Sequence, residues 1–208
     1  MLGLILLFSF AFFSYFVSRE LLVQFDSYAT VQLQSLIPRN FDLPFSILSL
    51  IGSFEITAVT LLVLTTLVFL KRLLGVFLTF SLFFSTQILE LFGKLFLFHP
   101  SPPLLFFRTT LPFNLPSGYI HTEYSYPSGH AIRTTFIVIF LLFYLEKNIS
   151  GAKKLFLQTS IVIFLIAMLI SRIYLGEHWA SDVIGGMFLG TSFGIFAGLA
   201  IPQPSAKK

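Results

Sequence analysis

His178 and Asp182 stand four residues apart at the head of a long apolar segment. On a helix that spacing puts both on one face, where the carboxylate can accept a hydrogen bond from one imidazole nitrogen. Such a bond fixes the tautomer and leaves the other nitrogen as a nucleophile or base. A lone His–Asp pair is equally compatible with a satisfied interfacial hydrogen bond. Ser171-Arg172 precedes His178, with five residues between. A second stretch, Pro127-Ser128-Gly129-His130, stands directly before another apolar run. Ser128 or a neighbour can cap a helix there. The free N–H groups of a helix start, beside the small Gly129, suit an anion. These four residues alone would also fit an ordinary Pro-Ser helix start.

All four histidines, His99, His121, His130 and His178, fall in or beside two connecting segments, His99–Pro127 and Gly176–Trp179. Lys94, Arg133 and Arg172 approach the same ends of their apolar runs. Ionisable residues inside apolar segments are expensive in hydrocarbon and face a bundle interior or an aqueous cavity. Several cations and imidazoles at one depth make a pocket for an anion, and phosphate matches Arg and Lys in charge and geometry. Glu90 and Lys94 are four apart and can pair, which alone would read as an ion pair locking helices.

The elements that position these residues follow from composition. The chain has 208 residues, 56% hydrophobic and 11% charged, with a mean hydropathy of +0.90. An average soluble domain is about 25% charged, so too few charges remain to make a polar surface. That excludes a soluble enzyme, a disordered chain and a nucleic-acid binder. With no cysteine, disulfides and thiolate chemistry are excluded. The 28 phenylalanines read as lipid-facing bulk. A spanning helix needs about 20 mostly apolar residues, and six runs qualify or nearly so: about 2–17, 54–70, 73–98, 128–145, 155–174 and 180–201. Continuous apolarity argues for helices rather than alternating barrel strands. The expected fold is therefore all-α: one polytopic membrane domain over 1–208, a bundle of six transmembrane helices. The first run lacks a basic n-region and a small-residue cleavage site, so it reads as a retained helix rather than a signal peptide. Between it and the second run, Leu21, Leu22, Phe25, Val31 and Leu36 can make an interfacial amphipathic helix.

Charge sets the orientation. Lys71, Arg72, Lys147, Lys153, Lys154, Lys207 and Lys208 all fall on one side of a six-span layout. The positive-inside rule makes that side cytoplasmic, with both termini, and puts the histidine-bearing segments outside. Arg19, Arg39 and Arg108 fall on the outer side, so the bias is strong but incomplete.

Taken together, Lys94, the Pro127–His130 stretch and the Ser171–Asp182 stretch resemble the three-part pattern of the type 2 phosphatidic acid phosphatase superfamily, which includes membrane lipid phosphatases and vanadium haloperoxidases. The parts are K-x(6)-R-P, PSGH and SR-x(5)-H-x(3)-D. The second and third match fully; in the first, Lys94 and Pro102 fit, but Ser101 stands where the family has arginine. The apolar runs set the sequence apart from the soluble haloperoxidase branch.

The resemblance implies hydrolysis of a lipid phosphate or isoprenoid diphosphate, without metal or cofactor, at the extracytoplasmic end of the bundle. It implies that His178 attacks phosphorus to give a phosphohistidine, that Asp182 orients it, and that His130 protonates the leaving oxygen. Lys94, Arg172 and the Ser128 and Gly129 amides would hold the phosphate oxygens. The partners implied are a membrane lipid substrate and the bilayer of a prokaryotic plasma membrane. The charge-assisted hydrogen bond missing at Ser101 is worth roughly 1.5–3 kcal/mol, a slowing of about ten- to a few hundredfold. Arg133, one turn after His130, is a candidate replacement guanidinium, and Arg108 could fold inward. The tyrosines Tyr119, Tyr124 and Tyr126, with Trp179, are candidates for the pocket entrance or an interfacial aromatic belt. Ser101 leaves open a non-catalytic lipid-phosphate-binding or scaffold protein, and the acceptor leaves open a lipid phosphotransferase. A transporter would show broken helices or inverted repeats, and the sequence shows neither.

Overall fold

In hydrocarbon a backbone must satisfy its own polar groups, and a helix does so within one segment. A computed structural model describes residues 1–70, 72–120 and 122–202, and among these residues the protein is all-helical with no strand. Lys71, His121, Lys207 and Lys208 lie outside the described residues. The α-helices are α1 (Leu2–Ser18), α2 (Val23–Leu36), α3 (Asp42–Ile51), α4 (Phe54–Phe69), α5 (Leu73–Phe96), α6 (Gly129–Asn148), α7 (Gly151–Tyr174) and α8 (Ala180–Leu199). Short 3-10 turns cover Arg39–Phe41, Leu104–Phe106 and Pro116–Tyr119.

Among the described residues four helices, α5 to α8, are each long and apolar enough to cross a membrane. Two further spans arise if α1 with α2, bent by 95°, and Arg39–Ile51 with α4, bent by 54°, each count as one. The breaks have local causes. The 95° bend lies at residues 19–22, where Glu20 takes φ +57°; Ile37, extended at φ −98° and ψ 119° because Pro38 follows it, ends α2. Ser53 is extended after Gly52, which separates α3 from α4. The stretch from Ser18 to Ser53 thus carries two helices rather than one. In α2 the polarity runs inside out for a soluble protein: Asp26 and Thr30 are buried while Phe25, Val31 and Leu36 face outward.

The centre of the bundle is α6 against α8. Gly186, Gly190, Gly194 and Gly198 repeat every four residues along α8. A Cβ on Gly186 would sit 2.7 Å from the Ser128 carbonyl oxygen, and one on Gly194 would sit 2.9 Å from Ile139 Cβ. Small residues let helix backbones approach, and that packing is what holds helices together once lipid replaces water. Beside this seam lies an aromatic core. Phe83 and Phe136 meet edge to face at 5.5 Å, and Phe140 and Leu61 are buried with them. Phe77, Phe92 and Phe156 face outward as lipid-facing residues do, but Phe83, Phe136 and Phe140 do not. Their rings fill the space between α4, α5, α6 and α8, which the sequence pattern does not distinguish from the lipid face.

Candidate active site

The last turn of α7 and the first turn of α8 are joined by only five residues, Leu175–Trp179. The joint works because Gly176 takes φ +68°, and a Cβ there would overlap the Phe106 backbone. That tight turn brings Arg172, His178 and Asp182 together. Asp182, fully buried, accepts the Trp179 N–H at 3.0 Å and lies 3.2 Å from His178 Nδ1, both through Oδ2. His178 therefore presents Nε2 away from the carboxylate. Burial first, and then the cations Lys94 and Arg172, hold the His178 pKa well below the usual imidazole value, so the ring is neutral near pH 7. A neutral, oriented imidazole is a nucleophile.

Arg172 is wholly buried. Its guanidinium contacts Ser49 Oγ of α3 and the Glu177 carboxylate, while Nε has no partner among the described residues. Thr109 Oγ1 holds Glu177 from the loop above at 2.5 Å.

α6 starts on the far side of α8's first turn. Ser128 caps it, accepting Ala131 N–H at 3.5 Å. The Ser128 N–H is donated to the Asp182 carbonyl oxygen at 3.0 Å, which ties the two helix starts together. That amide is therefore engaged. The amides pointing out of the helix start with no intrahelical acceptor are Gly129 and His130. A Cβ on Gly129 would overlap the Glu90 carboxyl and lie 2.6 Å from Arg133 Nη1, so a larger residue must push that ion pair aside. His130 packs against the bare Gly52, where a Cβ would lie 2.8 Å from its Cδ2. Arg172, Arg133, His178 and Lys94 all act electrostatically on His130, which puts the two motif histidines and the cations in one site.

Glu90 divides its carboxylate between two cations, Lys94 at 2.7 Å and Arg133 at 2.9 Å. Arg133 also donates to Gln87 Oε1 at 3.0 Å. It reaches a phosphate only by giving up Glu90. Arg108 does not turn inward: it donates to the Gln34 carbonyl at 3.2 Å and lies over the Tyr174 ring at 5.0 Å. Tyr126 lines no entrance; it is fully buried, with its hydroxyl 2.9 Å from Ser14 Oγ. Tyr119 is exposed, and Tyr124 bonds Glu123. Trp179 Nε1 donates to the Pro100 carbonyl at 2.8 Å, which anchors the loop carrying Ser101 beside the site.

Sequence reasoning did not single out Glu177, Ser49, Gly52, Asp26 or Ser181 as site neighbours. His99 it saw only as part of a cluster. Its Nε2 lies 3.3 Å from Asp182 Oδ1, 3.1 Å from Ser181 Oγ and 3.8 Å from Asp26 Oδ2. Burial lowers the His99 pKa against the opposing pull of Asp182.

A family model described as the PAP2 superfamily matches residues 72–203. The chain belongs to that superfamily. Over 99 residues it is 33% identical to a dihydrosphingosine 1-phosphate phosphatase of Schizosaccharomyces pombe, covering 46% of this chain and 22% of the relative. It is 35% identical over 71 residues to phosphatidylglycerophosphatase B of Bacillus subtilis, 33% of this chain and 35% of that one. It is 37% identical over 70 residues to an undecaprenyl-diphosphatase of Sulfolobus acidocaldarius, 34% and 30% of the two chains. Each match thus spans about a third or less of the relative's length. The fold is similar to the crystal structure of a transmembrane PAP2-type phosphatidylglycerolphosphate phosphatase from Bacillus subtilis: TM-score 0.69, 16% identity, 94% of this chain and 93% of that chain covered.

Proposed function

We propose that this PAP2 protein is a membrane phosphatase that hydrolyses a lipid phosphate or isoprenoid diphosphate through a phosphohistidine. The observation that carries the reading is the contact of His178 Nδ1 with the buried Asp182 carboxylate at 3.2 Å, which leaves Nε2 of the partly exposed ring facing a site shared with His130, Arg172 and Lys94. His178 Nε2 attacks phosphorus while the bond to the leaving oxygen breaks, and His130 in its protonated form gives that oxygen its proton. Water then attacks the phosphohistidine, losing its proton to His130, and releases phosphate and free His178. The charge on the transferring group spreads over three oxygens, so fixed donors supply most of the rate. In this reading Arg172, Lys94 and the Gly129 amide supply those donors, and Arg133 adds positive potential and a candidate guanidinium. Arg172 exchanges Glu177 for the phosphate as substrate binds.

The substrate follows from the setting. A site among apolar helices admits a phosphate whose tail stays in the bilayer, and the relatives are named for sphingoid, glycerophospholipid and isoprenoid phosphates. Lys147, Lys153 and Lys154, at the opposite ends of α6 and α7 from the site, support an extracytoplasmic site by the positive-inside rule. A catalytically impaired binding protein is the second reading, favoured only by Ser101 in place of the family arginine.

The test is phosphate release by purified protein from a panel of lipid phosphates and isoprenoid diphosphates, with EDTA throughout and His178→Ala in parallel. Release that survives EDTA and is lost in His178→Ala supports the reading. No release from folded protein, restored by Ser101→Arg, supports the impaired form.

A further inference from the structure

The second oxygen of Asp182 remains after His178 and the Trp179 amide have taken the first. Among the described residues, Oδ1 is buried and makes no hydrogen bond of good geometry. The imidazole facing it, among those same residues, is His99, with Nε2 at 3.3 Å. His99 comes from the loop after α5 and is almost completely buried. Its backbone carbonyl accepts both the Ser125 N–H at 3.0 Å and the Ser125 hydroxyl at 3.1 Å, which fixes the main chain.

The protonation of Nε2 follows from its neighbours. Asp26, on α2, accepts the Ser181 N–H at 2.8 Å and the Ser181 hydroxyl at 2.7 Å. The Ser181 hydrogen is therefore committed to Asp26, and toward His99 its oxygen can only accept. Asp182 Oδ1 and Asp26 Oδ2 are acceptors as well. All three of these atoms accept, so Nε2 carries the hydrogen.

We propose that His99 is a positioning residue for the nucleophile: its Nε2–H, donated to Ser181 Oγ at 3.1 Å where Asp26 holds that hydroxyl, has Asp182 Oδ1 as its second acceptor at 3.3 Å, so that Asp182 stands between two imidazoles. Asp182 then cannot rotate about its χ2 without breaking contacts on both sides, and His178 keeps its orientation. The chain α2–Asp26, Ser181, His99, Asp182, His178 also explains why a buried carboxylate is tolerated on α2. Asp26 is the acceptor that fixes the Ser181 hydroxyl. The inference rests on the phosphatase reading for its kinetic consequence, but not for its geometry.

The test has a kinetic and a spectroscopic arm. His99→Phe keeps the ring and removes the donor. It should lower kcat by about 10–100-fold, the range for losing a partner that orients a working histidine, with KM within about twofold. His99→Gln, whose amide reaches the Nε2 position, should recover most of the loss. In an Asp182→Asn background, His99→Phe should add little further loss, because the contact is already changed. A full, independent loss in that background, or His99→Phe with unchanged kcat, overturns the proposal. Nitrogen-15 NMR of histidine-labelled wild-type protein reads the tautomer directly and needs no variant and no turnover. His99 must show a protonated Nε2, and a ring protonated only at Nδ1 overturns the assignment even if the protein releases no phosphate.

Discussion

Replacing Asp182 by asparagine tests the catalytic geometry with the smallest change of shape. The carboxylate accepts both the Trp179 amide at 3.0 Å and His178 Nδ1 at 3.2 Å through one oxygen. Asparagine has one acceptor oxygen. If that oxygen keeps the Trp179 amide, which caps the first turn of α8, the amide nitrogen turns toward His99, and the neutral group facing His178 is a far weaker acceptor. If it turns the other way, an N–H faces His178 Nδ1, and the imidazole takes the other tautomer with no lone pair on Nε2. Loss of a charge-assisted hydrogen bond is worth about 1.5–3 kcal/mol, or roughly 10- to 160-fold in rate. On the proposed mechanism Asp182 also stabilises the positive charge that forms on His178 as phosphorus bonds to it, so the expected fall in kcat is about 10²–10⁴-fold, with KM within a few-fold. The assay is phosphate release at saturating lipid in detergent, with thermal unfolding followed on the same preparation. Because asparagine remains a good partner for a helix-start amide, the melting temperature should move little. A variant that melts like the wild type and keeps kcat within about threefold would refute the assignment of His178 as an oriented nucleophile.

Three further outcomes follow from the site. Glu177→Gln removes the carboxylate that pairs with Arg172 and, on the proposed mechanism, gives way to phosphate, so KM should fall several-fold with kcat little changed in steady-state kinetics. Gly129→Ala puts a methyl into the Glu90 carboxyl and against Arg133; both cations shift, and activity should fall at least tenfold, since overpacking of this kind costs roughly 1–3 kcal/mol. The pH profile has a defined sign: because burial and neighbouring cations lower the His178 pKa, the neutral nucleophile survives as pH falls through 6.5, the ordinary imidazole value. The acid limb of kcat/KM assigned to this group should therefore lie below that value, and a limb there that moves with substitution at Lys94 identifies it.

The extent of helix was legible in the sequence because a backbone in hydrocarbon has few choices, and runs such as 155–174 are too long and too evenly apolar to be strands. The candidate site was legible because His178 and Asp182 lie four apart on one chain and Ser171-Arg172 and Pro127–His130 are local patterns. The sequence could not say how cations would be shared. Glu90 lies 43 positions before Arg133 and four before Lys94, and helical periodicity reveals only the second spacing. The engagement of the Ser128 amide by Asp182, the burial of Tyr126 against Ser14 and the capture of Arg108 by Gln34 all join segments far apart in the chain. Local spacing has no bearing on them. The four-residue glycine repeat of α8 was visible, but only packing shows that it faces α6 rather than lipid. The sequence by itself therefore determined the helices, the solvent they need and the residues that could act on a phosphate, because each depends on neighbours a turn or two away. Tertiary structure alone decided which of those residues are free, which are neutralised, and that His99 meets Asp182, because those outcomes depend on which helix faces are brought together.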